Sequence, residues 1–178
     1  MPVESRRLFF ALWPPRDVAD EIAVRARDSG VRGRLVPPEK LHLTLAFLGD
    51  VPAERIDALL AAGDGIRAVD FDLCLSRLGY FRGPRAAWVG PKTTPAPLAA
   101  LAAGVREAAA AAGIGRETRG FRAHVTVARR AEPPRRVRLP EPVAWRPDAF
   151  ELTESARVAG KAVYRPLRRW PLAPASVE

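Results

Sequence analysis

Cysteine occurs once in this chain, at Cys74, which excludes an internal disulfide. Histidine occurs twice, at positions 42 and 124, and lysine three times. A lone thiol and two histidines 82 residues apart offer no cluster of the three or four ligands that a zinc centre needs, so no metal and no cofactor are expected. No Gly-x-Ser-x-Gly elbow is present to carry a serine nucleophile. No glycine-rich loop ending in Lys-Ser or Lys-Thr supports ATP-driven chemistry. No apolar run approaches the ~20 residues of a membrane span. The first residues, Met1 to Arg7, lead into a short apolar stretch with Trp13-Pro14-Pro15 and then charge, a poor secretion signal. A cytoplasmic monomer is expected.

What remains is an ordinary soluble composition, 48% apolar and 28% charged over 178 residues. That length suits one domain with room for a real core. The balance of charge is basic, +9, and nearly all of it is arginine. An arginine-, alanine- and proline-heavy chain can reflect a coding bias and a generally basic surface, or an anionic partner such as RNA. Charge alone does not decide between them.

Periodicity sets the order of elements. Arg7 to Trp13 reads as a buried strand. After Pro14-Pro15, Val18, Ala19, Ile22, Ala23 and Ala26 recur at helical spacing until Gly30. Val31 to Lys40 reads as a loop, and Leu41 to Leu48 as a strand. Pro52 opens a second helix with Ile56, Leu59 and Leu60 inward, ending near Gly63. Phe71 to Ser76 alternates as a half-buried strand, Gly79 to Pro84 reads as a turn, and Ala86 to Gly90 as its hairpin partner. Thr94 is placed to cap a third helix that runs to Gly113. Arg122 to Arg129 is a strand, residues 133–142 a stiff proline-rich connection, and Ala149 to Ser155 and Ala162 to Trp170 two more strands. The pattern is α+β, with helices covering mainly antiparallel sheets.

One tetrad occurs twice: His42-Leu43-Thr44-Leu45 and His124-Val125-Thr126-Val127. In a strand, residues i and i+2 share a face. Each copy therefore presents an imidazole beside a hydroxyl and turns its apolar pair into a core. The repeat predicts two similar lobes with a cleft between them, where two histidines and two threonines meet. With an unperturbed pKa near 6.5, one imidazole can be neutral and the other protonated near pH 7. That is the requirement for paired general base and general acid catalysis. Phosphoryl chemistry suits it, because one group activates water and the other protonates a leaving oxygen. Hydroxyls alongside can donate to nonbridging oxygens.

These residues resemble the two-histidine (2H) phosphoesterases, defined by two His-x-Thr-x motifs with apolar x. Within them the chain is similar to the RNA 2′,3′-cyclic phosphodiesterases, also called 2′–5′ RNA ligases. Arg7-Leu8-Phe9-Phe10-Ala11, the segments 41–49 and 121–129, and Tyr164 to Trp170 carry the likeness, which covers about residues 5–172. It implies a bilobal fold of two pseudo-symmetric, mainly antiparallel sheets with helices outside and a central cleft, in a single domain over 1–178. It implies metal-independent opening of a 2′,3′-cyclic phosphate at an RNA or nucleotide end to a 2′-phosphate. His42 would protonate the departing 3′ oxygen, His124 would activate water, and Thr44 and Thr126 would hold the phosphate. Arg129 matches a position near the phosphate, although strand parity puts it on the face opposite His124 unless the strand bends. Phe10 aligns with an aromatic that stacks on the terminal base, although Phe9 or Phe10 must also fill the core. Two alternatives stay open: 2′–5′ ligation or cleavage as the physiological task, and a non-catalytic protein that binds RNA ends.

Overall fold

The computed structural model describes residues 4–115 and 117–175. The chain opens with β1 (Ser5–Leu12), whose Leu8, Phe10 and Leu12 are fully buried. α1 (Arg16–Asp28) starts after Pro15, a residue suited to a helix start because the first turn has no intrahelical use for its missing N–H. Ala19, Ile22 and Ala26 form the buried stripe of α1. The helix ends where Gly30 takes φ 76°, so that its N–H donates to the Arg27 carbonyl and that of Val31 to the Ala26 carbonyl. This is the closure that a glycine makes cheap.

The expected loop to Lys40 contains a two-residue strand, β2 (Arg34–Leu35), and a 3₁₀ turn (Pro38–Lys40). Then follow β3 (Leu43–Pro52), α2 (Ala53–Asp64), β4 (Leu73–Phe81), β5 (Ala86–Pro91), α3 (Ala96–Ala111) and β6 (Val125–Arg129). β7 (Arg138–Trp145), β8 (Ala149–Val158) and β9 (Lys161–Pro171) complete the order. No helix among the described residues is long and apolar enough to cross a membrane.

Three expectations need correction. β4 runs on through Gly79 to Phe81, since the missing side chain of Gly79 makes room for the Trp88 ring, which a Cβ there would meet at 2.1 Å. The proline-rich connection contains the strand β7, which lies at the edge of the sheet and pairs with β4. Prolines are tolerated at an edge, where no second neighbour needs their N–H. Thr94 caps nothing: Pro95 holds the N-cap position of α3 and no side chain bonds to that end.

The strands follow the order β7-β4-β5-β6-β3-β1-β8-β9, with β2 on β6. Two halves are evident in it, β7-β4-β5-β6 and β3-β1-β8-β9. They meet at one paired position, Leu43 opposite Val125. Beyond it the halves part, and β2 takes up the edge of β6, with Arg34 opposite Arg129 and Leu35 opposite Ala128. The two expected sheets are thus one sheet that splits, and the split is the cleft. The helices are exchanged between the halves. α1 follows β1 but packs on β6 and β7, while α3 follows β5 but packs on β3 and α2. One continuous apolar core joins residues of both halves. A polar tie adds to it at α2, where Trp170 Nε1–H donates to Asp64 at 2.7 Å and Arg168 pairs with the same carboxylate at 2.9 Å.

Candidate active site

The seam between the halves positions the site. With Leu43 opposite Val125 in an antiparallel pair, His42 lies across from Thr126 and Thr44 across from His124. The apolar members of both tetrads are buried, with Leu43, Leu45, Val125 and Val127 all at 2% exposure or less. The histidines and threonines are half-buried on the other face. They line a cavity of about 270 Å³ together with Arg34, Leu35, Lys40, Arg129, Lys161 and Tyr164. No carboxylate among the described residues lines it. Among the described residues, no three His, Cys, Asp or Glu side chains converge where they could hold a metal.

Both imidazoles are fixed in the same way. His42 Nδ1 lies 2.8 Å from the Lys40 carbonyl, and His124 Nδ1 lies 2.7 Å from the Arg122 carbonyl. A carbonyl accepts and cannot donate, so each Nδ1 carries the hydrogen and each Nε2 is left free for proton transfer. Lys40 is itself anchored, its ammonium donating to the Ala162 carbonyl at 2.9 Å. That bond ties the 3₁₀ turn before His42 to the β8–β9 hairpin.

Arg129 reaches the cavity because β6 carries a bulge. Trp88 pairs with Thr126 but the preceding Ala87 pairs with Ala128, so β6 has an extra residue there. Val127 and Ala128 are consequently both buried, and Arg129 returns to the cleft face. β3 bulges at the same place in its tetrad. Ala11 pairs with Thr44 and Phe10 with Ala46, Leu45 and Ala46 are both buried, and Phe47 is exposed. The repeat thus extends past the four residues seen in the sequence and includes the irregularity that follows them.

The expectation for Phe10 is overturned. Phe10 is fully buried against Phe150 and Trp170, on the core face with Leu8 and Leu12, and has no route to a ligand in the cleft. Its neighbour Phe9 has the opposite parity and lies beside His42, ring centroids 5.1 Å apart. Trp13 and Tyr164 close the same imidazole at 4.7 and 5.3 Å. On the other side Phe81 stands edge-on to His124 at 4.9 Å. Sequence reasoning missed Trp13, Lys40, Lys161 and Tyr164 as neighbours of the site. Charge in β1 does not mark the face, because Arg6 shares the parity of Phe10 as Arg7 shares that of Phe9.

Burial and charge hold the histidines neutral. The His42 pKa is pushed down to about 4, first by burial, then by Arg129 and His124, against the Lys40 carbonyl, which favours the charged ring. The His124 pKa is also lowered, first by burial and then by Arg122, with the Arg122 carbonyl opposing. A cavity with cations and no carboxylate favours an anion, and the anion would restore the proton that the site disfavours when empty.

A cleft with two His-Thr pairs facing each other across a split α+β sheet is the site of a two-histidine phosphoesterase. A family model described as LigT-like phosphoesterase matches residues 12–88, a stretch that includes the first tetrad. An RNA 2′,3′-cyclic phosphodiesterase of Escherichia coli is 35% identical over 95% of this chain and 98% of its own length. One from Thermus thermophilus is 32% identical over 93% and 90%. Crystal structures of E. coli LigT agree in shape. The complex with 3′-AMP has a TM-score of 0.83 at 34% identity, covering 95% of this chain and 99% of that one. The complex with phosphate has a TM-score of 0.79 at 34% identity, covering 96% and 99%. The chain belongs to the LigT-like phosphoesterase family.

Proposed function

We propose that the cleft hydrolyses 2′,3′-cyclic phosphates at ribonucleotide ends by acid–base catalysis between His42 and His124, without a metal. The observation that carries this reading is the shared orientation of the two imidazoles. Each Nδ1 is tied to the carbonyl two residues before it, which leaves both Nε2 atoms for one cavity lined by arginine and lysine. The names of the relatives point the same way.

In this reading the cyclic phosphate lies between the two tetrads, its nonbridging oxygens against Thr44, Thr126 and Arg129. His124 Nε2 takes a proton from water as the water oxygen bonds to phosphorus. The bond from phosphorus to the 3′ oxygen breaks, and His42 Nε2–H delivers its proton to that oxygen. A 2′-phosphate and a free 3′-hydroxyl result. The terminal base has Tyr164 and the half-buried Trp13 at hand for stacking, in place of Phe10. The reading also takes the protein as a cytoplasmic monomer.

The test is turnover of a cyclic-phosphate-ended oligoribonucleotide in excess chelator, with the product end group identified. Conversion to a 2′-phosphate is expected, falling by roughly 10²–10⁴-fold in His42→Ala or His124→Ala. Turnover abolished by chelator, or surviving either substitution, would sink the two-histidine reading. Binding of the RNA end without turnover would mark a binding protein instead.

A further inference from the structure

The two imidazoles are held by like carbonyls, but those carbonyls are themselves held in unlike ways. The Lys40 carbonyl ends a 3₁₀ turn closed by its own backbone. There the Lys40 N–H donates to the Pro37 carbonyl at 2.9 Å and that of Leu41 to the Pro38 carbonyl at 3.1 Å. The Arg122 carbonyl belongs to the approach to β6, where the described residues between Gly115 and Ala123 form neither helix nor strand. None of the described residues from 115 to 122 gives or accepts a hydrogen bond between backbone groups. The end of the approach rests on the sheet. Ala123 is buried, and its carbonyl lies so near Gly90 that a Cβ there would meet it at 2.6 Å. Upstream of that point something else must hold the chain.

We propose that Arg106 of α3 is a positioning residue for His124: it clamps the approach to β6, aims the Arg122 carbonyl at the imidazole, and so fixes which ring nitrogen faces the cleft. This role rests on the hydrolase reading above, in which His124 activates water. Three contacts from one guanidinium support it. Arg106 donates to the Arg119 carbonyl at 2.9 Å and pairs with Glu117 at 3.9 Å. It also lies over the Phe121 ring, 5.8 Å from the centroid, within the ~6 Å reach of cation–π attraction. Phe121 packs against the core on its other side, so the residue just before Arg122 is held between core and guanidinium.

Burial points the same way. The Arg106 Nε is buried without a hydrogen-bond partner. An arginine that served solubility alone would extend its head into water and avoid that cost. Arg106 does not line the catalytic cavity, so its influence on the reaction runs through the approach and the ring, not through the substrate. A stretch without backbone bonds of its own has many shapes open to it. Once Arg106 lets go, the Arg122 carbonyl leaves the line of His124 Nδ1, and the second tautomer of the ring becomes available. Nε2 is then no longer uniformly the free nitrogen. Misplacing a reacting group by about 1 Å costs on the order of 10²-fold in rate.

With two histidines in the chain, each ring can be read separately. Proton–nitrogen correlation spectra of tag-free, isotope-labelled protein at neutral pH report the tautomer of each. In the wild type both rings should carry the hydrogen on Nδ1. In Arg106→Leu, which keeps the helix and an apolar stem, His124 should become a mixture of tautomers while His42 stays as it was. Arg106→Lys, which retains a cation and a donor, should return His124 toward the wild-type form. With adenosine 2′,3′-cyclic phosphate, the Leu variant should lose roughly 10–100-fold in kcat. Its KM should stay within about 3-fold, as for a group that acts in the transition state alone, and the Lys variant should recover most of the rate. Circular dichroism checks each fold. If Arg106→Leu does not fold, Phe121→Leu takes its place in both assays, with the same change expected at His124 alone. A His124 that keeps its Nδ1 hydrogen in the folded variant, a change shared equally by His42, or an unaltered kcat would each overturn this role. If the wild type turns over no cyclic phosphate, the hydrolase reading has failed, and the spectra alone decide whether Arg106 positions His124.

Discussion

Leu43 and Val125 face each other as the paired position between β3 and β6. Antiparallel pairing there places each histidine across from the threonine of the other half, His42 by Thr126 and His124 by Thr44. A pair of imidazoles brought directly opposite one another would crowd two groups to which the proposed mechanism gives different charge. The crossed arrangement separates them by a hydroxyl on each side. The geometry of the cleft depends on that one register, because a slip of either strand by a single residue would turn its His-Thr pair into the core.

Thr44→Val and Thr126→Val keep shape and remove one donor each. A hydrogen bond to a charged group contributes about 1.5–3 kcal/mol, so each change should lower kcat/KM for a cyclic phosphate by roughly 10–100-fold. Thr44→Ser should restore most of it. A Val variant with wild-type kinetics would remove the hydroxyls from the mechanism.

The pH profile follows from the depressed histidines. The proposed mechanism needs one ring neutral and the other protonated, and kcat/KM reports their pKa values in the free protein. With His42 near about 4 and His124 below its ordinary value, kcat/KM should peak on the acid side of pH 6.5. Bound phosphate favours the imidazolium, so the kcat profile should lie at higher pH. Coincident profiles centred above neutrality would contradict this.

Stability carries the same signature with a defined sign. In the unfolded chain His42 gains its proton near pH 6.5, whereas in the fold it stays neutral down to about pH 4. The unfolded state therefore binds more protons between these values, and stability falls as pH drops through that window. The loss from His42 is about 3 kcal/mol. Urea unfolding at pH 7.5 and pH 4.5 should show it, and His42→Gln should flatten the dependence.

Two backbone sites predict opposite effects. The β8–β9 hairpin turns in two residues between Val158 and Lys161, with Ala159 at φ 49° and Gly160 at φ 76°. Both central residues need positive φ, and alanine is poorly suited to it. Ala159→Asn should stabilise by ~0.5–1 kcal/mol, read as a raised Tm. Gly79→Ala should destabilise by at least ~1–3 kcal/mol, because the new methyl would overlap the Trp88 ring.

The sequence showed the cleft more fully than it showed the rim. His42, Thr44, His124 and Thr126 were legible because period-two alternation and the repeat both point to one face. Arg129 defied parity because a bulge adds a residue to β6, and a bulge has no signature in a strand of five residues. Phe10 was expected at the cleft because it lies in an aromatic pair next to an arginine pair, and nothing in Arg6-Arg7-Leu8-Phe9-Phe10 says which parity enters the core. β7 was hidden by Pro140 and Pro142, which read as breakers until the strand is known to lie at an edge. Lys40, Lys161 and Tyr164 come from a turn and a distant hairpin, and long-range pairing brings them in.

The exchange of α1 and α3 between the halves bears on how fast the protein assembles. The strands β4 to β7 of one half are contiguous, but the helix α1 that packs on β6 and β7 precedes them. The other half joins β1 and β3 to β8 and β9 across them, so neither half is complete before the other has begun. β1 must hold β8, more than 130 residues later in the chain, and α1 must find β7, which follows both histidines. Topologies dominated by such distant pairings fold in milliseconds to seconds, not microseconds. A growing chain that has released residues up to β7 carries both tetrads and still has β1 with an open edge. The cleft is therefore among the last things to form, and recovery of its chemistry on refolding should trail the return of helix.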